Sequence, residues 1–255
     1  MIIDIIHNEI TYNCDLSKPL DISIALGKVR CFYAEDVRIT PFESGCFIGS
    51  VKNGAPVNFY NVFFNPHGNG THTEGLGHIT LDQEHISSCL KKYHFIAKVV
   101  SVDLETLSNG DQVITGQEMK RKCQNDLPEA LVIRTLPNSN KKLRMDYSGS
   151  NPPYLSSEAM EYIVEYGVLH LLLDLPSVDR EDDGGKVQNH RIFWKVKETE
   201  ADESSRLNAT ITELIFVPSS LEDGLYMINI QVPSIGMDAA PSKPVLYRLI
   251  QKEKP

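Results

Sequence analysis

Five of the eight histidines in this chain, His67, His72, His78, His85 and His94, fall between residues 67 and 94. The densest part runs from Pro66 to His78, where His67, His72, Glu74 and His78 alternate with Gly68, Gly70, Gly75 and Gly77. Imidazole and carboxylate are the donors that a borderline divalent cation such as Zn²⁺ or Mn²⁺ takes. Glycine lets the backbone fold tightly enough for residues close in sequence to converge on one point. In an extended segment His72 and Glu74 project to the same side, because strand side chains alternate, so one ion could take both. The competing reading is a polar loop with solvated histidines. The spacings fit neither GxGxxG, a Walker loop, HExxH nor an EF-hand.

Two further places could carry chemistry. The run Thr210 to Val217 reads as a strand with Ile211, Glu213, Ile215 and Val217 on one face, and a carboxylate in that row is costly unless it is paired or bound to metal. An edge strand with Glu213 reaching water is the alternative. His190 opens a strand-like run over Ile192 to Val196 and could complete such a site. The second place is Asp174 to Asp182, where an apolar strand ends in polar groups, as ligand-binding loops of open α/β sheets do. A plain turn, with Pro176 stopping the strand and Asp179 beside Arg180, reads equally well there. Ser177 has no GxSxG elbow, so no serine nucleophile is expected. His170, inside the apolar run Val168 to Leu175, is expected to be a hydrogen-bonded core residue outside the site.

These residues need elements to position them. Strand-like runs cover Ile2 to Ile6, Ile22 to Leu26, Phe59 to Phe64, Phe95 to Val102, Ala130 to Thr135, Leu169 to Leu175, Ile192 to Val196, Thr210 to Val217, Leu225 to Val232 and Val245 to Ile250. One helix is predicted after Thr115, where Thr115 and Glu118 have capping-box spacing. Another is predicted from Ser156 to Tyr166, with Met160, Ile163 and Val164 on one face and Gly167 as its stop. The expected fold class is α/β: a single domain over residues 1–255 with a mixed, strand-rich sheet flanked by a few helices. The charged segment Lys197 to Leu207 reads as a solvated excursion between strands.

Composition bounds the function. The chain has 255 residues, 41% of them hydrophobic, enough to bury a full core. Its 25 basic against 34 acidic side chains leave a formal charge of −9, which argues against a nucleic-acid partner. No apolar run is long enough to span a bilayer. The amino terminus has neither a basic leader nor a cleavage site, so a cytoplasmic location is expected. The five cysteines are widely spread and never in a CxxC pair, so they read as reduced and structural. The two Asn-x-Thr sequons, at Asn69 and Asn208, carry little weight without a leader.

At these residues the chain resembles the cyclase family of metal-dependent hydrolases, which includes kynurenine formamidase and isatin hydrolase and has the signature HxGTHxDxPxH. The match is Gly70-Thr71-His72-Thr73-Glu74-Gly75-Leu76-Gly77-His78. It is followed in order by Leu131 to Thr135, Leu155 to Ala159, Val164 to Val168, and Asp174-Leu175-Pro176-Ser177-Val178-Asp179, similar to the family's TPSVD segment. The resemblance implies a swivelling β/β/α fold and a site holding one or two divalent ions, Zn or Mn. It assigns His72, Glu74, His190 and Glu213 to that site as metal ligands. There are departures. The first signature histidine would stand at Gly68, whereas His67 lies one residue earlier, so His67 is expected to ligate through a bulge in which Gly68 and Gly70 take positive φ angles. Glu74 replaces aspartate, Leu76 replaces proline, and Asn189-His190 keeps only the second of a histidine pair.

The function implied is hydrolysis of a small amide, formamide or lactam by metal-activated water, with His78 moving the proton. The alternative is a non-catalytic protein of the same fold that binds a metal or small ligand without turnover. Metal content separates the two. The resemblance further implies a homodimer or homotetramer acting on a small-molecule substrate, with sites near subunit contacts.

Overall fold

The computed structural model describes residues 1–124 and 127–252. An eleven-stranded sheet organises them. Ten strands follow one another across it in the order Ile2–His7, Ile10–Asp15, Val245–Gln251, Gly224–Asn229, His94–Val102, Ala130–Thr135, His170–Leu173, Thr210–Glu213, His72–Glu74 and Ala239–Pro241; the short Leu20–Asp21 pairs beside Val245–Gln251. The middle of the sheet, from His94–Val102 through Thr210–Glu213, is parallel, and both flanks are antiparallel. Parallel strands covered on both faces become continuous apolar runs. Ala130–Thr135, with all six residues buried, is such a run, which is why its bounds were legible.

Helices cover one face. Gly116–Cys123 starts where the Thr115 side chain accepts from the backbone N–H of Glu118, and Ser157–Glu165 starts where Ser156 accepts from that of Ala159. Gly167, at φ 77°, follows the second helix. Met119, Met160, Ile163, Phe193 and Trp194 pack there against Val100, Leu131, Ile133, Leu171 and Leu173. The opposite face buries Ile22, Phe95, Ala97, Val99, Val132, Leu172, Ile215 and Ile228.

Three sequence expectations are corrected. The run Ile192 to Val196 is not a strand: residues Gln188–Trp194 form a helix that buries Asn189, His190, Phe193 and Trp194 and leaves Arg191 and Ile192 half-buried. Five apolar-rich residues are too few to separate a helical from a strand period. Thr210 to Val217 stops as a strand at Glu213, because Leu214 adopts a left-handed φ of 55° and turns the chain. Ile22 to Leu26 contributes only an isolated bridge between Ser23 and Ile215. Phe59 to Phe64 does form a strand, Tyr60–Phe63, but it pairs with Arg38–Pro41 in a ribbon apart from the main sheet.

Candidate metal centre

The loop before the short strand His72–Glu74 is tied down by asparagines. Asn69 Oδ1 accepts from Asn65 N at 2.7 Å, and Asn65 Oδ1 accepts from Gly68 N at 3.0 Å. Gly68 and Gly70 are not among the residues with positive φ, which corrects the expected reason for them. They allow close approach. A Cβ on Gly68 would lie 2.4 Å from the Ala34 Cβ, and one on Gly70 would lie 3.1 Å from Ile24 O and the Leu26 Cα. The loop therefore lies flat against residues 24–34, and His67 reaches the centre with ordinary backbone angles.

His72–Glu74 lies between two antiparallel neighbours, Thr210–Glu213 and Ala239–Pro241. Register sets Glu213 opposite His72, and alternation turns His72 and Glu74 to the same side. A 3₁₀ turn over Leu76–His78 brings His78 back over Glu74, and the helix Gln188–Trp194 delivers His190 from across the sheet. The six residues singled out in the sequence, His67, His72, Glu74, His78, His190 and Glu213, thus converge in one place. His170 lies elsewhere, its Nδ1 2.9 Å from Thr210 Oγ1 in the core, as expected.

His72 Nδ1 donates to Gly70 O at 3.1 Å, which leaves Nε2 pointing inward. It lies 3.5 Å from Glu213 Oε2 and 3.9 Å from Glu74 Oε2. Glu74 Oε2 also stands 3.0 Å from His67 Nδ1 and 3.8 Å from His78 Nε2. Glu74 Oε1 lies 3.1 Å from His190 Nε2, and Glu213 Oε1 accepts from Val178 N at 3.1 Å. Two aspartates brace the imidazoles from behind. Asp179 Oδ2 sits 2.6 Å from His190 Nδ1, and Asp238 Oδ2 sits 3.0 Å from His67 Nε2 and 3.2 Å from His78 Nδ1. A cavity of about 210 Å³ opens onto this group and is walled by Phe32, Ser177 and Val187 among others. Phe32 and Val187 both adopt positive φ, at 56° and 42°. A β-branched residue in that region is strained, and such strain collects at functional sites.

Neither aspartate was identified in the sequence. Asp179 lies in a segment noted for its place at a strand end, where a ligand-binding loop and a turn with Asp179 beside Arg180 read equally well; in the structure Arg180 turns to Asp111, at 2.9 Å. Asp238 carried no local signal, since only the pairing of Ala239–Pro241 with His72–Glu74 sets it beside His67.

The charges are strongly coupled. Burial works against charge on His190, yet Asp179 and Glu74 outweigh it and push its pKa up to about 10. His67 behaves alike, with burial overcome by Asp238 and Glu74, and also rises to about 10. Burial would raise Glu74, but His78, His190 and His67 hold it well below the usual carboxylate range. Glu213 moves the other way, raised by burial and by the neighbouring Glu74 charge. Imidazolium charge thus offsets buried carboxylate charge here.

A cation fits this donor set. His72 Nε2 is buried and has no hydrogen-bond partner among the described residues, a costly state for a polar atom that metal coordination would relieve, and the buried Glu74 Oε2 beside it meets only imidazole nitrogens. His72, Glu74 and Glu213 offer ligand atoms within 4.8 Å of one another, and so do His67, Glu74 and His78. Glu74 belongs to both groups, so this donor set could hold one ion or two. His78 stands among the possible ligands as well as in place to carry a proton.

The family model "Cyclase" matches residues 14–180. The chain belongs to the cyclase family. The matched span includes His67, His72, Glu74, His78 and Asp179, while His190, Glu213 and Asp238 come from beyond it. Among solved structures, the cyclase fold recurs in a potential metal-dependent hydrolase with cyclase activity, at TM-score 0.61 and 15% identity over 91% of this chain and 98% of that one. Isatin hydrolase A from Labrenzia aggregata, bound to benzyl benzoate, has TM-score 0.62 and 12% identity over 92% and 94% of the two chains. An isatin hydrolase bound to the product analogue thioisatinate has TM-score 0.61 and 14% identity over 92% and 93%. These likenesses show a shared fold. No curated protein is a significant match to the sequence.

Proposed function

We propose that this cyclase-family chain is a metal-dependent hydrolase that opens a small amide, formamide or lactam at the C–N bond. The observation that carries the reading is His72 Nε2, buried without a hydrogen-bond partner among the described residues and set 3.5 Å from Glu213 Oε2 and 3.9 Å from Glu74 Oε2. His72, Glu74 and Glu213 would hold a divalent ion, Zn or Mn, with His190 and His67 able to join. When bound, such an ion supplies Lewis acidity, polarising a carbonyl and making water nucleophilic near neutral pH.

The chain's own residues do the rest. Asp179 holds the His190 ring by Nδ1 and so aims Nε2 at the two glutamates. Asp238 accepts from His78 Nδ1, which directs Nε2 toward Glu74 and the cavity, where it can hold a proton and return it to a departing nitrogen. An amine is a poor leaving group until protonated, and the half-exposed His78, its side chain 30% accessible, sits at the boundary between the buried carboxylates and solvent. Phe32 and Val187 leave a cavity of about 210 Å³, which admits only a compact substrate.

The test is elemental analysis after gel filtration, joined to a hydrolysis panel of formanilides, isatin and small lactams. The expected result is at least one tightly held divalent ion per chain and turnover of some panel member that stops when metal is removed. A metal-loaded protein inert toward the whole panel would favour the non-catalytic alternative.

We also propose that the chain works as a homodimer or homotetramer in the cytoplasm. The ribbon of Arg38–Pro41 and Tyr60–Phe63 supports association, because Ile39, Tyr60 and Val62 stand exposed on one of its faces. Light scattering during gel filtration measures the assembly. No helix among the described residues is long and apolar enough to cross a membrane.

A further inference from the structure

A second cavity, of about 240 Å³, lies at the other end of the parallel strands and is lined by Phe95, Leu169, His170, Lys91, Lys92 and Glu129, with Cys89 and Asn208 completing it. His170 opens the strand His170–Leu173 and pairs with Thr210, whereas Glu213 of the metal centre closes the neighbouring strand. The two cavities therefore belong to opposite ends of the same sheet.

Three features mark this cavity as more than a packing gap. First, His170 is only 4% exposed and stands where the rest of its strand, Leu171, Leu172 and Leu173, is apolar. A leucine there would pack without burying a polar ring. Second, the Nδ1 edge is taken by Thr210 Oγ1 at 2.9 Å, and Nε2 has no partner among the described residues. If the threonine hydroxyl donates to Nδ1, both of those groups are satisfied and the proton of the neutral ring stands on Nε2, where a donor is left for the cavity. Third, Lys91 and Lys92 line the cavity without forming an ion pair among the described residues, against a single carboxylate, Glu129. The wall carries a net positive charge. Phe95, whose ring centroid is 3.9 Å from that of His170, and Leu169 supply a flat apolar surface beside it.

We propose that this cavity is a binding site for a small organic carboxylate with a flat apolar body, its head group accepting from His170 Nε2–H and the Lys92 ammonium and its body lying against Phe95 and Leu169. A neutral His170 suits the role. Burial, with the nearby Arg206 and Lys92 charges, lowers its pKa to about 4, so the ring donates through one nitrogen over the whole physiological range. The volume limits the ligand to a single ring or a short chain. The proposal is independent of the reaction assigned to the metal centre.

Sodium benzoate and benzamide, titrated into the metal-loaded full chain by calorimetry, test it, with the His170 imidazole resonances followed by NMR. Benzoate is expected to bind with about millimolar affinity and to shift the His170 signals. Benzamide, which lacks the charge, should bind roughly tenfold or more weakly, and Lys92→Ala should weaken benzoate by a similar factor while leaving metal content unchanged. Lys92 is exposed, so this variant is expected to fold. Benzoate binding that is identical in Lys92→Ala, or that moves only the signals of His67, His72, His78 or His190, would place the ligand at the metal centre and overturn the proposal. Absence of any benzoate binding would overturn it equally.

Discussion

His190, on the helix Gln188–Trp194, and His170, at the start of the strand His170–Leu173, are both buried imidazoles, 4% exposed each, yet their proton affinities diverge. Burial alone pushes an imidazole toward neutrality, and at His170, where the cations Arg206 and Lys92 add to it, the pKa falls to about 4. At His190 the same burial is overcome by Asp179 and Glu74, and the pKa rises to about 10. At the metal centre buried carboxylates favour cationic partners, whereas the wall of the rear cavity is weakly positive. Equal burial does not make equal sites; the sign of the neighbours decides.

The sharpest way to break the contrast is to remove a residue that only the negative end uses. His72→Ala should lose metal and hydrolysis together, with a metal affinity at least 10–100-fold below wild type, as elemental analysis and a chelator competition would show. The same loss should lower the melting temperature, since an ion that binds only the native state stabilises it. Retention of full metal in His72→Ala would remove the centre from its assigned place.

Next in size is His78→Ala, expected to keep most of the metal while kcat on the substrate found falls by roughly 10²–10⁴, the range for lost acid–base help. If the metal leaves as well, His78 belongs among the ligands with His67 and Glu74, a grouping that their ligand atoms, within 4.8 Å of one another, already permit.

Asp179→Asn should act more mildly, because it touches the centre only through His190. Metal affinity is expected to drop by about 10–100-fold, with the ion recoverable at higher concentration. An unchanged affinity would mean that the 2.6 Å contact orients nothing that matters for the metal.

The smallest effect belongs to the positive end and concerns stability. The folded His170 pKa, about 4, lies below the 6.5 of an unperturbed histidine, so below about pH 6.5 the unfolded chain takes up a proton that the folded chain refuses. The stability of the native state is therefore intact above that pH and falls as the pH drops toward 4, by roughly 2 kcal/mol at pH 5. Denaturant titrations of His170→Gln across this window should show a shallower acid slope than wild type. An equal slope would place the acid sensitivity elsewhere.

Much of this was open to reading before the fold was known. The strand Ala130–Thr135 and the helix Ser157–Glu165 were legible because each carries a strong local pattern, an unbroken apolar run in one case and a Ser156 cap with a Gly167 stop in the other. The helix Gln188–Trp194 was misread as a strand because its seven residues expose too little of a period. The strand carrying Glu213 was read too long, since nothing in the residue type of Leu214 announces a left-handed turn.

For the centre, the division falls along sequence distance. His67, His72, Glu74 and His78 lie within a dozen residues of one another, so spacing and strand alternation were enough to bring their types together. Even there the role of Gly68 and Gly70 depended on what lies against them, residues 24–34, and spacing could not show it. Asp238 had no local mark of function, and Asp179 had only its place in a polar strand end. Their carboxylates matter because the helix Gln188–Trp194 swings His190 onto one, and because antiparallel pairing of Ala239–Pro241 with His72–Glu74 sets the other beside His67 and His78. Residue type and short-range spacing settle which groups can bind a cation or carry a proton. Which carboxylate braces which imidazole, and hence the proton affinity of each ring, depends on contacts between segments far apart in the chain, which exist only once the sheet has closed over them.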